Sequence, residues 1–239
     1  MHPEPPLVQL PALVGRQAES WLALIEIAPR LGTAWALVGG QMVLLHVVER
    51  QSLEGRPTAD VDVVMDVRAD SSSLAHMHRV LSQAGFSQDQ PSPDGVAHRY
   101  RRSGATIDVL APDHMGTRAK LNLGVGRTIE APGSSQALVR SSHVRVELVN
   151  GASAVVRRPT LIGALLGKTA AVFEIVSQPP AERAKHLGDA DTLARLIGPT
   201  DRQSAFLKSK ERAALQRLLQ ERDLSALAAA SLHLLVEHR

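Results

Sequence analysis

The chain has 239 residues, 44% hydrophobic and 21% charged, the balance of a globular protein long enough to bury a substantial core in one compact domain or two smaller ones. The absence of cysteine excludes disulfides, thiolate chemistry and cysteine zinc sites, and 3% aromatic residues leave little material for stacking single-stranded nucleic acid. With 27 Lys and Arg against 24 Asp and Glu, the formal charge of +3 is modest, so local arginines (Arg99, Arg101, Arg102, Arg140, Arg145, Arg157 and Arg158) matter more than the total as a positive field for a nucleoside triphosphate or RNA.

The opening Met1-His2-Pro3-Glu4-Pro5-Pro6 has mixed polarity, and neither a cleavable leader nor a long apolar run appears. The expected compartment is therefore the cytoplasm, with no membrane partner. An amphipathic segment over residues 14–27 precedes an apolar strand over 34–38, which enters Gly39-Gly40. Residues 41–50 read as a short helix. Glu54-Gly55-Arg56-Pro57-Thr58 then breaks regularity before a strand over 60–65. A helix over 73–84, a turn at Pro91-Ser92-Pro93-Asp94-Gly95, a strand over 98–102 and a strand around Asp108 follow. Residues 136–139 and 144–149 read as short strands. Beyond Pro159 the pattern becomes helical, from 161–173 and again from Ala190, Gln203 and Leu224. The fold class is α+β, a mixed sheet flanked by helices, with 1–158 as the sheet domain and 159–239 as a helical region.

The chemistry concentrates at three places. Asp60 and Asp62 are one residue apart on a strand, so both project to one face while Val61 and Val63 pack behind them. Asp108, between Ile107 and Val109, repeats that arrangement on what should be a neighbouring strand. Converging carboxylates repel one another and resist burial, and hard divalent cations with oxygen ligands would neutralise them. Gly39-Gly40, between strand and helix, permits close approach of a phosphate to the free amides of a helix start. The pair is neither a Walker loop nor a dinucleotide fingerprint. His76 and His78, two positions apart on a helix, diverge and read as surface residues. His46, Trp35 and Met42 read as packing.

Val38-Gly39-Gly40, Arg56-x-Thr58-x-Asp60-x-Asp62 and Ile107-Asp108-Val109-Leu110 together resemble the nucleotidyltransferase superfamily, in particular its AbiEii-like toxin and minimal nucleotidyltransferase branch. The resemblance spans roughly residues 30–200. It implies a nucleotidyltransferase-like mixed sheet with a helical C-terminal portion, a nucleoside triphosphate substrate and Mg2+. It further implies that Gly39 and Gly40 contact phosphates, that Asp60 and Asp62 ligate catalytic magnesium, and that Asp108 completes the metal site or supports nucleophile activation. Arg56 is expected to contact the triphosphate or organise the loop, and Thr58 to stabilise the strand entry. Lys168 is expected as a phosphate-facing lysine on the first C-terminal helix, with Lys185 and Asp189 as a later cation and acid. His186 departs from the family, standing where an acid is common. The acceptors implied are transfer RNA or a protein hydroxyl, with a cognate antitoxin as partner. A small antibiotic as acceptor, or an inactive module that binds nucleotide or protein, are the alternatives.

Overall fold

The computed structural model describes residues 4–52, 56–116, 121–175 and 178–237, so Met1-His2-Pro3 and the Glu54-Gly55 half of the predicted break lie outside the described residues. The central sheet has the order β2 (Trp35–Val38), β3 (Val61–Met65), β6 (Ala105–Pro112), β5 (Arg99–Arg102), β4 (Ser87–Gln88), and β9 (Glu130–Ala131) adds to the end of β6. It is mixed: β3 and β6 run parallel, while β2 and β5 are antiparallel to their neighbours. A smaller sheet joins β1 (Leu7–Gln9), β10 (Ser141–Glu147) and β11 (Ser153–Pro159). A two-stranded ribbon of β7 (Asn122–Leu123) and β8 (Gly126–Arg127) lies apart.

Helices α1 (Gly15–Ile27), α2 (Gly39–Glu49), α3 (Ser73–Gln83) and α4 (Ser134–Val139) are interleaved with the strands. Helices α5 (Leu161–Glu174), α6 (Pro180–Arg195), α7 (Pro199–Gln203), α8 (Ser209–Leu218) and α9 (Ala226–Glu237) make the C-terminal region helical. The architecture is therefore a mixed α+β sheet flanked by helices. Alternation along β3 decides which face does what. Val61, Val63 and Met65 point into the large core, which runs from Val8 to Val236 and draws on the C-terminal helices as well as the sheet. The opposite face carries a small apolar patch of Ala36, Val64 and Leu138, edged by Val38 and Leu110. Where that patch ends, Asp62 follows on the same face.

Residues 136–139, read from sequence as a strand, belong to helix α4. The reason lies twenty residues upstream. Gly133 adopts φ +73°, which a glycine tolerates, and the Asp113 carboxylate accepts from the Gly133 amide at 2.7 Å and the Ser135 amide at 2.9 Å. An acid satisfying the free amides of a first turn stabilises helix over the strand preference of Val139. Strands β1 and β11 were not anticipated; both are completed by pairing with β10, a long-range event.

Candidate active site

The route from β2 to β3 builds the cleft. Val38 is extended, Gly39 turns at φ +68°, and α2 begins at once with no side chain capping its first amides. A Cβ at Gly39 would lie 1.8 Å from Asp62 Oδ2, so the carboxylate rests against the glycine backbone. At Gly40 a Cβ would meet the Thr58 side chain at 2.9 Å. Both glycines are thus required by close approach, and the Thr58 side chain packs against Gly40. Gln41 fixes the loop further: it is fully buried, accepts from Trp21 Nε1 at 2.7 Å and donates to the Thr58 carbonyl at 2.8 Å. One side chain therefore ties α1, α2 and the segment leading into the acids.

Strand register aligns the rest. Val38 pairs with Asp62, Asp62 with Asp108, and Asp108 with Arg99, forming one row across four strands. Asp60 lies just before β3 and faces the same cleft, whose volume is about 560 Å³. The three predicted acids are thus brought together. Their electrostatics differ. Asp62 is half-buried and accepts no hydrogen bond from any described residue; burial first, then the neighbouring Asp108, push its carboxyl up to about 6. Asp108 is buried and gives both oxygens to Arg99, whose Nε and Nη2 each donate at 2.7 Å. Asp60 is more exposed and lies 3.4 Å from Arg99 Nη2. The Asp108 hydrogen bonds hold Arg99 firmly protonated.

The opposite wall comes from α5 and α6. Thr160 caps α5 by accepting from the Gly163 amide, and the helix carries Lys168 into the cleft. Lys168 Nζ lies 2.8 Å from Asp189 Oδ2, and Arg56 grips the same carboxylate through Nε at 2.7 Å and Nη2 at 3.0 Å. Arg56, Lys168 and Asp189 are therefore a triad that anchors the loop before β3 to the helices. Lys185 reaches the rim, half exposed, where it pairs with Glu182 at 2.6 Å. His186, beside it, is lowered to about 4 by burial and then by Lys168, and its Nδ1 is buried without a partner.

Sequence reasoning missed Arg99 as a residue of this cleft, having counted it only among the arginines that could give one face a positive field. His46 is buried packing, and His76 and His78 do not form a metal pair: His78 Nδ1 bonds the Tyr100 hydroxyl at 2.7 Å and His76 Nε2 the Arg30 carbonyl at 2.7 Å. Among the described residues, the triad of acid and histidine donors lying within 4.8 Å of one another is Asp113, His114 and Glu174, outside this cleft. Asp113 there already accepts from the first amides of α4.

No protein-family model matches the chain, and no curated protein matches it. Among solved structures it is similar to the crystal structure of an antigenic nucleotidyltransferase-like protein from Paracoccidioides brasiliensis, at 18% identity and a TM-score of 0.55, covering 92% of this chain and 95% of that one. The likeness shows a nucleotidyltransferase-like fold. No helix among the described residues is long and apolar enough to cross a membrane.

Proposed function

We propose that the cleft binds a nucleoside triphosphate and transfers its nucleotidyl group, with magnesium, to an acceptor hydroxyl. The observation that carries this reading is Asp62: a half-buried carboxylate without a donor, pressed against the glycine that opens α2, beside a second acid on the same face. A hard divalent cation fits that donor set, because its charge would relieve the repulsion and its oxygen preference matches Asp60 and Asp62. When bound, such an ion neutralises phosphate oxygens and lowers the pKa of an attacking hydroxyl.

The chain's own groups supply position. The uncapped amides and dipole of α2 favour phosphate oxygens at Gly39 and Gly40. Thr58 and Gln41 hold that turn, Arg56 fixes the approach to Asp60 through Asp189, and Lys168 and Lys185 place cations on the facing wall and rim. In the reaction the acceptor oxygen bonds the α-phosphorus, the bond to the β-phosphate oxygen breaks, and pyrophosphate leaves with the electron pair. The acceptor's proton passes to solvent.

For the acceptor, the resemblance to the AbiEii-like branch supports transfer RNA or a protein hydroxyl and a cognate antitoxin, against a small antibiotic. Incubation with each α-labelled nucleoside triphosphate, magnesium and either cellular RNA or protein is expected to label one acceptor class and release pyrophosphate. One observation favours a second reading, nucleotide binding without turnover: Asp108 and Lys168 each spend their charge on a protein partner. Magnesium-dependent binding with no pyrophosphate from any of the nucleotides, across RNA, protein and small-molecule acceptors, decides for that module.

A further inference from the structure

We propose that Arg99 is a built-in cation of the cleft, so that the site takes one divalent ion, on Asp60 and Asp62, and the guanidinium occupies the place of a second; the inference rests on the nucleotidyl-transfer reading above. The sheet itself imposes the arrangement. Arg99 is the register partner of Asp108 on the antiparallel pair β5–β6, and Asp108 is the register partner of Asp62 on the parallel pair β3–β6. Neighbouring strands stand about 4.8 Å apart, so the guanidinium beside Asp108 needs no loop to place it.

The contacts then divide the three acids. Both oxygens of Asp108 are engaged in a fork by Nε and Nη2 at 2.7 Å, and the side chain is only 8% exposed. The same Nη2 leans toward Asp60 at 3.4 Å. An ion arriving at Asp108 would have to break two charge-assisted bonds and sit against a cation that does not lose its proton. Among the described residues Asp62 has no such partner, and Asp60 has only the longer contact. The ion therefore belongs to Asp60 and Asp62.

Arg99 is also presented to the cleft. Its side chain is about one-third exposed, lines the cavity, and has Nη1 free of any described protein partner. That nitrogen is available to a phosphate oxygen, the interaction for which a planar guanidinium is suited.

The test uses the full chain with an equimolar non-hydrolysable nucleoside triphosphate analogue and Mn2+ titrated beyond two ions per chain, read by electron paramagnetic resonance. In two-ion sites the ions lie roughly 3.5–4 Å apart and their spins couple. The wild type is expected to saturate with one ion and to give an uncoupled spectrum. Arg99→Ala, which releases Asp108, is expected to admit a second ion and give a coupled pair. Its label transfer falls about 100-fold at low Mn2+, the loss typical of one electrostatic group, and recovers as Mn2+ is raised. A coupled pair in the wild type overturns the proposal while leaving nucleotidyl transfer intact, and it does so whether or not the variant folds. An uncoupled single ion in folded Arg99→Ala also overturns it. A wild type that binds no Mn2+ at the cleft overturns the reading beneath it, and the proposal with it.

Discussion

On the sheet side of the cleft Asp62 has no donor among the described residues and is pushed up to about 6 by burial and by Asp108. On the helical side Asp189 is more deeply buried, yet Lys168 at 2.8 Å and Arg56 at 2.7 and 3.0 Å outweigh the burial that would raise it and hold it below the ordinary carboxylate range. The same residue type is left short of charge in one place and fully paired in the other. A paired, buried carboxylate fixes structure, since nothing can bind it without displacing its partners. An unpaired one is costly to the empty fold and is relieved by a ligand. The contrast suits Asp189 to mechanical work and, under the proposed function, leaves Asp62 for a ligand.

The largest effect that can break this contrast is expected at Asp62. Asp62→Asn should lower label transfer by about 1,000-fold or more, the scale of losing a central electrostatic group, while leaving the protein folded. Stability should move the other way. Because the folded carboxyl titrates near 6, above its unfolded value of 3.8, the folded state holds a proton that the unfolded state lacks between those pH values. Stability from this group is thus present at low pH and lost as pH rises through about 6. Asn never carries that charge, so Asp62→Asn should be more stable than the parent by about 1 kcal/mol at pH 7.5, roughly 2–4 °C in melting temperature. The gain should shrink as the pH falls from about 6 and vanish only below the unfolded value of 3.8, and melting curves without metal at pH 7.5 and at the acid end of that range check it. A variant that is equally active, or less stable at pH 7.5, removes Asp62 from the ligand role.

Asp189→Ala should show the reverse pattern. It leaves Lys168 a buried, unpartnered cation and frees Arg56, so unfolding in urea should show a loss of about 3–5 kcal/mol. Loss of nucleotide affinity should follow the loss of structure, and stabilising the fold with excess nucleotide should restore part of it. If Asp189→Ala retains parental stability yet abolishes transfer, the helical wall does chemistry and the contrast fails.

Gly39→Ala lies between these two. The new Cβ would fall 1.8 Å from Asp62 Oδ2 at a backbone φ of +68°, so both the left-handed backbone and the displaced carboxylate count against it. The strain should cost about 1–3 kcal/mol, and Mn2+ affinity should fall at least about tenfold, the equivalent of 1.4 kcal/mol. Calorimetry of Mn2+ binding at pH 7.5 separates the two losses. Unchanged ion affinity would mean that the contact between the glycine and Asp62 is incidental.

Legibility in the sequence followed the range of each interaction. Asp60 and Asp62 were visible because the two-residue alternation of a strand is local, and Gly39-Gly40 because a glycine pair between strand and helix is local too. Helix α4 was misread because the acid that caps it, Asp113, lies about twenty residues upstream, just past the end of β6. The pairing of Arg99 with Asp108 depends on strand register, and the gathering of Arg56, Lys168 and Asp189 depends on α5 meeting α6. Neither is written in a short window. The motif residues were therefore readable as a set, while which of them are already neutralised by a neighbour was not.

The smallest expected effect sharpens the comparison at the rim. Lys185 shares the lysine chemistry of Lys168 and the same cavity, but it is half exposed and its partner Glu182 lies one turn away on α6. Such surface pairs contribute about 0.3–0.5 kcal/mol, and water screens the cation's reach toward a phosphate. Lys185→Ala should leave stability within about 0.5 kcal/mol and weaken nucleotide binding by about threefold at low salt, a difference that shrinks as ionic strength rises. Titrating a fluorescent nucleotide analogue at two salt concentrations measures this directly. A loss of tenfold or more that persists at high salt would mean that Lys185 makes a desolvated contact with the triphosphate, and that the boundary between fixed wall and solvated rim runs outside α6.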